Sequence, residues 1–362
     1  MSSLNNLYGA AATLPTGPEN PIVPAGAATT LPTGDDNPLG TFDPSVPVTP
    51  DGMSVKALAD ELNNVKTGAT AEIINLFSPY TMQTFSGLSY RKAFPFVSTA
   101  SSTLTAQVTT STGYAKGLGY NGAWGSVAGN GTPGSTINVA FTTIGAPFDT
   151  KLPKVYAVVP CDSGGNITGD IKTISITSKG AVAVDLRNLS ELTSFESTNS
   201  GLTNVDFDGN PALASIVMQN GSFKRLVVRN KPDLHTLNVY ACRLLVELHL
   251  SNAPQLWNLN VSLCPALTSL DLSGLVALDD FTAYGTPLTS LRARGVTLTG
   301  ISLSAEYTNL KNTQLGADAL NQFFRDLAPG AGLINIYNTP GAGTCDTSIA
   351  TAKGYTVVAV NE

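Results

Sequence analysis

The sequence is short of charge. Of its 362 residues, 20 are Lys or Arg and 26 are Asp or Glu, so charged side chains make up 13%, about half of the ~25% usual for globular chains. Cations are scarcest at the start, where the first is Lys56. There is no basic run, and so no surface of the kind that releases counterions from a nucleic acid. Apolar runs such as Val155–Val159 are short, whereas a membrane span needs ~20 consecutive apolar residues. Neither a nucleic-acid partner nor a membrane span is expected. Residues 1–30 carry neither the cationic nor the apolar region of a secretory signal, so standard export is not expected either. The four cysteines, Cys161, Cys242, Cys264 and Cys345, form no CxxC pair, which argues against a zinc ribbon or a redox motif. No G-x-S-x-G, H-E-x-x-H or P-loop pattern occurs. No enzymatic activity, cofactor or metal site is expected.

Hydrophobic residues are 42%, too many for wholesale disorder. Gly, Ser, Thr and Asn fill the places that charge leaves. A sparsely charged, acidic chain of this kind reads as a β-rich structural protein that is extracellular or assembled. Four segments follow, at residues 1–52, 53–165, 166–310 and 311–362.

Residues 1–50 hold nine of the 22 prolines and four charges, all acidic. Proline fixes φ and removes an amide donor, so helix and central strand are excluded. The block contains a duplication: TLPTGPENP at 13–21 returns as TLPTGDDNP at 30–38. Composition alone fits a flexible tail. The duplication fits an extended arm with two equivalent anchors, Leu14, Pro15, Asn20 and Pro21, then Leu31, Pro32, Asn37 and Pro38.

In 53–165 the pattern changes period. Val55, Leu58, Leu62 and Val65 predict a helix within 54–77, with Ser54 as N-cap. Leu104, Ala106 and Val108 alternate, as do Ile137, Val139 and Phe141, which predicts strands. Between them Gly113–Gly134, rich in glycine and carrying Tyr114, Tyr120 and Trp124, reads as one long loop of a small β-domain.

From Leu192 a unit Leu-x-x-Leu-x-Leu repeats with conservative replacements. Eleven units start at residues 192, 202, 213, 223, 234, 245, 256, 267, 278, 288 and 298, each ten or eleven residues after the last. Positions 1, 4 and 6 face one core and positions 3 and 5 point outward, as in a strand. One unit cannot bury its apolar side alone, so neighbours stack into a solenoid. Two units make one turn, which predicts about five and a half turns with a parallel ladder on each side. Further on, Ala317, Leu320, Phe323, Phe324 and Leu327 predict a helix. A strand at 333–337, a helix at 347–353 with Asp346 as N-cap, and a strand at 355–360 complete an α/β cap. The expected fold is mainly β: an extended arm, a small β-domain, a β-solenoid and its cap.

LTSLDLSG at 267–274 is close to the idealised unit of the leucine-rich repeat family, which residues 170–362 resemble in its short bacterial and phage form. The resemblance implies an Asn or Cys two residues after the strand, bonded to turn backbone. Asn210, Cys242 and Cys264 hold that offset, while Lys231, Ala253 and Leu275 depart from it. The two cysteines then lie one turn apart, as reduced structural thiols or as a disulfide between rungs. The end of the chain, NTPGAGTCDTSIATAKGYTV, resembles the closing element of repeat proteins from phage genomes and bacterial surfaces.

Alternate units share a face, so His235 and His249 fall on opposite faces and cannot act together. Asp206-Phe-Asp208-Gly-Asn210 contains part of a calcium loop but reads as a repeat turn. One face gathers His235, Asn238, Tyr240, Trp257, Asn258, Asn260, Asp279, Asp280 and Tyr284. An outward Trp beside amides and carboxylates suits stacking on a sugar ring while its hydroxyls are bonded. It equally suits a neighbouring domain or subunit, or ordinary surface. The opposite face, with Lys224, Arg225, Glu247, His249, Asp271 and Arg292, reads as solvated. The order of parts resembles a bacteriophage virion protein: a capsid-decoration, head-fibre or tail-associated protein, assembled in the host cytoplasm. Its expected partners are other virion proteins, further copies of itself (a trimer for instance) and a host-surface glycan. A cell-surface leucine-rich-repeat adhesin and a cytosolic scaffold are the alternatives.

Overall fold

The computed structural model describes residues 94–98, 104–118, 125–141, 154–177, 181–298 and 308–360, all within the compact unit Asn64–Glu362. The arm at 1–52 with both proposed anchors, the expected helix at 54–77, Tyr120 and Trp124 lie outside the described residues.

The described chain is mainly β and is dominated by a solenoid of about eight turns over residues 173–358. Its main sheet stacks nine strands in parallel: β7 (Ile171–Ile176), β9 (Ser194–Ser197), β10 (Ser215–Val217), β12 (Thr236–Asn238), β14 (Asn258–Asn260), β16 (Asp280–Thr282), β18 (Thr308–Asn309), β19 (Gly332–Asn335) and β20 (Tyr355–Val358). Register puts Ile174, Phe195, Ile216, Leu237, Leu259 and Phe281 in one inward column. Each is at most 1% exposed, and each unit's first Leu or Phe is buried as well. Full burial of such a side chain stabilises by roughly 1.5–3 kcal/mol. Phe195 meets Phe207 of the return half edge-on, ring centroids 5.5 Å apart, joining both walls of the core.

The ladder runs further than the repeat pattern predicts. After β18 the return half is taken by helix α1 (Ala317–Asp326) and then by the short α2 (Ser348–Thr351), while the main-side ladder continues as β19 and β20. The Leu-x-x-Leu-x-Leu signature therefore fades, although stacking does not. Asp346 accepts hydrogen bonds from the Ser348 N–H (3.0 Å) and hydroxyl (2.6 Å), holding the start of α2.

The expectation of a second full ladder is corrected. On the return side two parallel pairs form among the described residues: β11 (Arg225–Arg229) with β13 (Glu247–Ser251), and β15 (Ser269–Asp271) with β17 (Ser290–Arg292). Residues 202–207 bury Leu202, Val205 and Phe207 without forming a strand. The pattern dictates which side chains face inward; it does not dictate backbone pairing.

The N-terminal β-region forms two antiparallel layers. β2 (Leu104–Thr110) pairs with β7, and β5 (Ile137–Phe141) pairs with β2, which extends the solenoid's main sheet. The second layer has the order β4 (Ala128–Gly129), β3 (Tyr114–Leu118), β6 (Lys154–Pro160), β1 (Phe94–Ser98), β8 (Ala181–Val184). Ala106, Val108, Ile137 and Val139 share one core with Tyr156, Val158 and the repeats. The strand at β2 covers the first rung's backbone edge, which would otherwise present unpaired amides. The single long loop expected at 113–134 is corrected too, because β3 and β4 form a hairpin there. Its glycines permit a close approach: a Cβ on Gly113 would lie 2.4 Å from the Thr132 amide nitrogen.

Two features close each turn. Most rungs end in a residue with a left-handed backbone: Asn199, Asn220, Ala241, Leu263, Gly285, Asn312 and Asn338 on the main side, and Asn230, Asn252, Gly274 and Gly295 on the other, but not the return rung at 202–209. Asn and Gly tolerate this region; Ala241 and Leu263 do so at a cost. A buried residue then follows. Cys242 donates to the Met218 carbonyl (2.8 Å) and Cys264 to Val239 (3.2 Å), and both thiols are free. Asn210 donates to the carbonyls of Leu186 (2.7 Å) and Leu189 (2.9 Å). Thr286 bonds Val261 (2.6 Å) and Thr339 bonds Leu310 (3.0 Å) in the same way. Lys231 stands at the Asn210 offset one turn on and is only 1% exposed. Burial lowers its ammonium pKa, opposed by the nearby Asp208 and Asp206.

Replacing Ala241 with Asn or Gly should raise stability by up to about 1 kcal/mol, and Asn220→Ala should lower it similarly, both read by chemical denaturation. Burial pushes the Cys242 thiol up to about 12 and the Cys264 thiol up to about 11, from 9.0. The folded state thus holds these protons more tightly than the unfolded chain. Their contribution to stability should be flat below pH 9 and decline between pH 9 and about 12. Thiol reagents at pH 8 should label both cysteines only after unfolding.

Candidate binding face

The outward residues of β12, β14 and β16 come together because parallel pairing is in register. Thr236, Asn258 and Asp280 form one row, and Asn238, Asn260 and Thr282 another. The residues just before these strands continue the ladder. The Trp257 amide donates to the His235 carbonyl (3.2 Å), and the Asp279 amide donates to the Trp257 carbonyl (2.9 Å). His235, Trp257 and Asp279 are therefore successive members of one row, with rungs ~4.8 Å apart. Tyr240 and Tyr284 lie two residues beyond the second row, at the rung ends. All nine residues singled out from the sequence thus share one face over three consecutive rungs.

Trp257 and Tyr284 are each 40% exposed, while Asp280 is buried. Asn258 donates to Asp280 at 2.8 Å. The side-chain oxygens of Asn238 and Asn260 accept the amides of Tyr240 (3.0 Å) and Ser262 (2.9 Å), which ends each strand in a tight turn. That fixes both amide groups and leaves their NH₂ ends as the donors available to a ligand. His235 is exposed, and His249 lies on β13 of the return side, 3.4 Å from Glu247.

Charge is sorted between the two sides, which the whole-chain composition hides. The main-side segments 191–198, 212–219, 233–240, 255–262 and 277–284 contain Glu191, Glu196, Asp233, Asp279 and Asp280 and no Lys or Arg. The return-side segments from 202 to 294 contain Lys224, Arg225, Arg229, Arg292 and Arg294 against Asp206, Asp208, Glu247 and Asp271. The return side is laced with ion pairs, Arg229–Asp208 (2.8 Å), Arg225–Glu247 (3.4 Å) and Arg292–Asp326 (2.9 Å). The two more exposed pairs, Arg229–Asp208 and Arg225–Glu247, contribute little stability, whereas the Asp326 side chain is buried. Counting charge unit by unit, alternate units apart, reveals the sorting; the overall count does not.

A shallow depression of about 240 Å³ lies at the first rungs of the main side, lined by Gln107, Thr109, Thr173, Ser175, Ser194 and Glu196. Thr173 bonds Thr109 (3.0 Å) and Ser175 bonds Glu196 (3.2 Å) across it. Sequence reading missed it because β2 joins the sheet from outside the repeat. Among the described residues no group of three or more His, Cys, Asp or Glu could hold a metal ion, and no helix is long and apolar enough to cross a membrane.

Trp257→Ala should change stability by no more than about 0.5 kcal/mol, as an exposed substitution does. Leu259→Ala, two residues away but facing inward, should cost about 2–5 kcal/mol. Equal losses in denaturant titrations would mean that Trp257 is structural. No protein-family model and no curated protein matches the chain.

Proposed function

We propose that the chain is a non-enzymatic structural and display protein of a bacteriophage virion, in a capsid-decoration, head-fibre or tail-associated place. In this reading residues 1–52 anchor it, and a solenoid of the leucine-rich-repeat type presents a binding face to host-surface glycan. The observation that carries the binding role is the alignment of Trp257, exposed, with amides and carboxylates on three rungs of a rigid sheet. Repeat solenoids offer broad surfaces of this sort. The duplicated, cation-free arm supports anchoring, because a segment without Lys or Arg and with few carboxylates is desolvated cheaply against partners.

Mass spectrometry of purified particles should find the protein at a stoichiometric level; its absence would remove the virion assignment. Deleting residues 1–50 should abolish incorporation while the solenoid still folds. Trp257→Ala should reduce adsorption of particles to host cells, whereas unchanged adsorption would take the glycan role from this face.

A further inference from the structure

We infer that the main face selects saccharides bearing free amines over neutral or N-acetylated ones. The inference rests on the glycan reading above and adds the ligand class. Trp257 is the centre of the exposed aromatic surface, and it sits in one row with Asp279 on the next rung and His235 on the previous one. A sugar ring stacked on the indole places its substituents over those neighbouring rungs, ~4.8 Å to either side. On one side stand the half-buried Asp279 and, beneath it, the buried Asp280, whose carboxylate accepts from Asn258, and Asp233 precedes His235 by two residues. An ammonium on the ring would gain from the indole face and from these carboxylates together. Around Trp257 an anionic sugar would meet like charge, since segments 233–240, 255–262 and 277–284 hold Asp233, Asp279 and Asp280 and no Lys or Arg, while the main-side Lys172 is paired with Glu191 at the first rungs (2.8 Å).

The second end of the face repeats this chemistry. The depression at Thr173, Ser175 and Ser194 carries Glu196. From β9 to β14 is three rungs, or about 14 Å. Ser194, Ser215 and Thr236, one to a rung, lead towards Trp257 with small hydroxyl-bearing side chains. An extended aminoglycan laid across the strands would pass from one carboxylate group to the other.

A saccharide fits better than a basic polypeptide. The strands' edges are used by the ladder, so no backbone is open to pair with a peptide on this face. Among the described residues the large exposed apolar side chains near the face are Trp257, Tyr284 and Leu263, together short of the ~800 Å² per partner of a standard protein interface. A flat ring over one indole needs far less.

The test is calorimetric titration of the full-length protein with a glucosamine tetramer, an N-acetylglucosamine tetramer and tetralysine, at low salt and at 1 M salt. The glucosamine tetramer should bind about five- to tenfold tighter than the acetylated one at low salt, with the difference shrinking at 1 M salt. Trp257→Ala should remove binding of both sugars. Asp279→Asn should keep both but erase the preference; circular dichroism would check that each variant is folded. Equal affinity for the two sugars would overturn the amine preference and leave the glycan reading standing. Tetralysine binding as tightly as glucosamine would overturn the saccharide assignment in favour of bare electrostatics. Binding of neither sugar would overturn this inference; continued Trp257-dependent adsorption of particles to cells would then keep the broader reading separate.

Discussion

Each half-turn of this protein must bury three apolar side chains, and ten or eleven residues cannot enclose them alone. Stacking is the answer, and the rest of the structure follows from it. In-register parallel pairing places Phe195 over Ile216 over Leu237 over Leu259. That column also fixes what faces outward, because successive side chains of a strand point to opposite sides. A one-residue slip would bury Asn258 and expose Leu259, so the core enforces the geometry of the binding face.

The turns carry a second constraint. A chain that reverses so tightly needs a left-handed residue at most rung ends and a donor for buried carbonyls just after it. Asn and Gly usually meet the first need. Asn210, Cys242, Cys264, Thr286 and Thr339 meet the second with three kinds of donor: amide, thiol and hydroxyl. Lys231 is the exception, a cation buried where a neutral group would serve and moderated by two aspartates. The ends of the stack are handled differently again. At the start an antiparallel strand from outside the repeat covers β7, and at the far end helices replace the return half while the ladder continues.

A scaffold of this kind separates stability from recognition. Inward positions hold the fold, and outward positions are free to vary in charge. The main side uses that freedom to gather carboxylates around an exposed indole, and the return side to pair its cations in place.

Much of this was legible in the residues. The Leu-x-x-Leu-x-Leu period determined the solenoid, its inward columns and the shared face of Trp257 with Asp279 and His235, and the helical spacing of Ala317, Leu320, Phe323, Phe324 and Leu327 marked the helix at 317–326, because burial periodicity is a local property of sequence. The buried roles of Asn210, Cys242 and Cys264 were legible too, though Thr286, Thr313 and Thr339 at the same offset were not, since threonine is common on any surface. Three things required the tertiary structure. β18 lies outside the repeat pattern, and β19 and β20, expected as strands of a cap, join the ladder across inserted helices, so spacing does not mark them as rungs. The return side pairs only in part, because inward burial can be satisfied without strand hydrogen bonds. The depression beside Glu196 depends on β2, which arrives from some 65 residues earlier in the chain than its neighbour β7; a contact of that range leaves no local trace in sequence, and only the folded core brings it about.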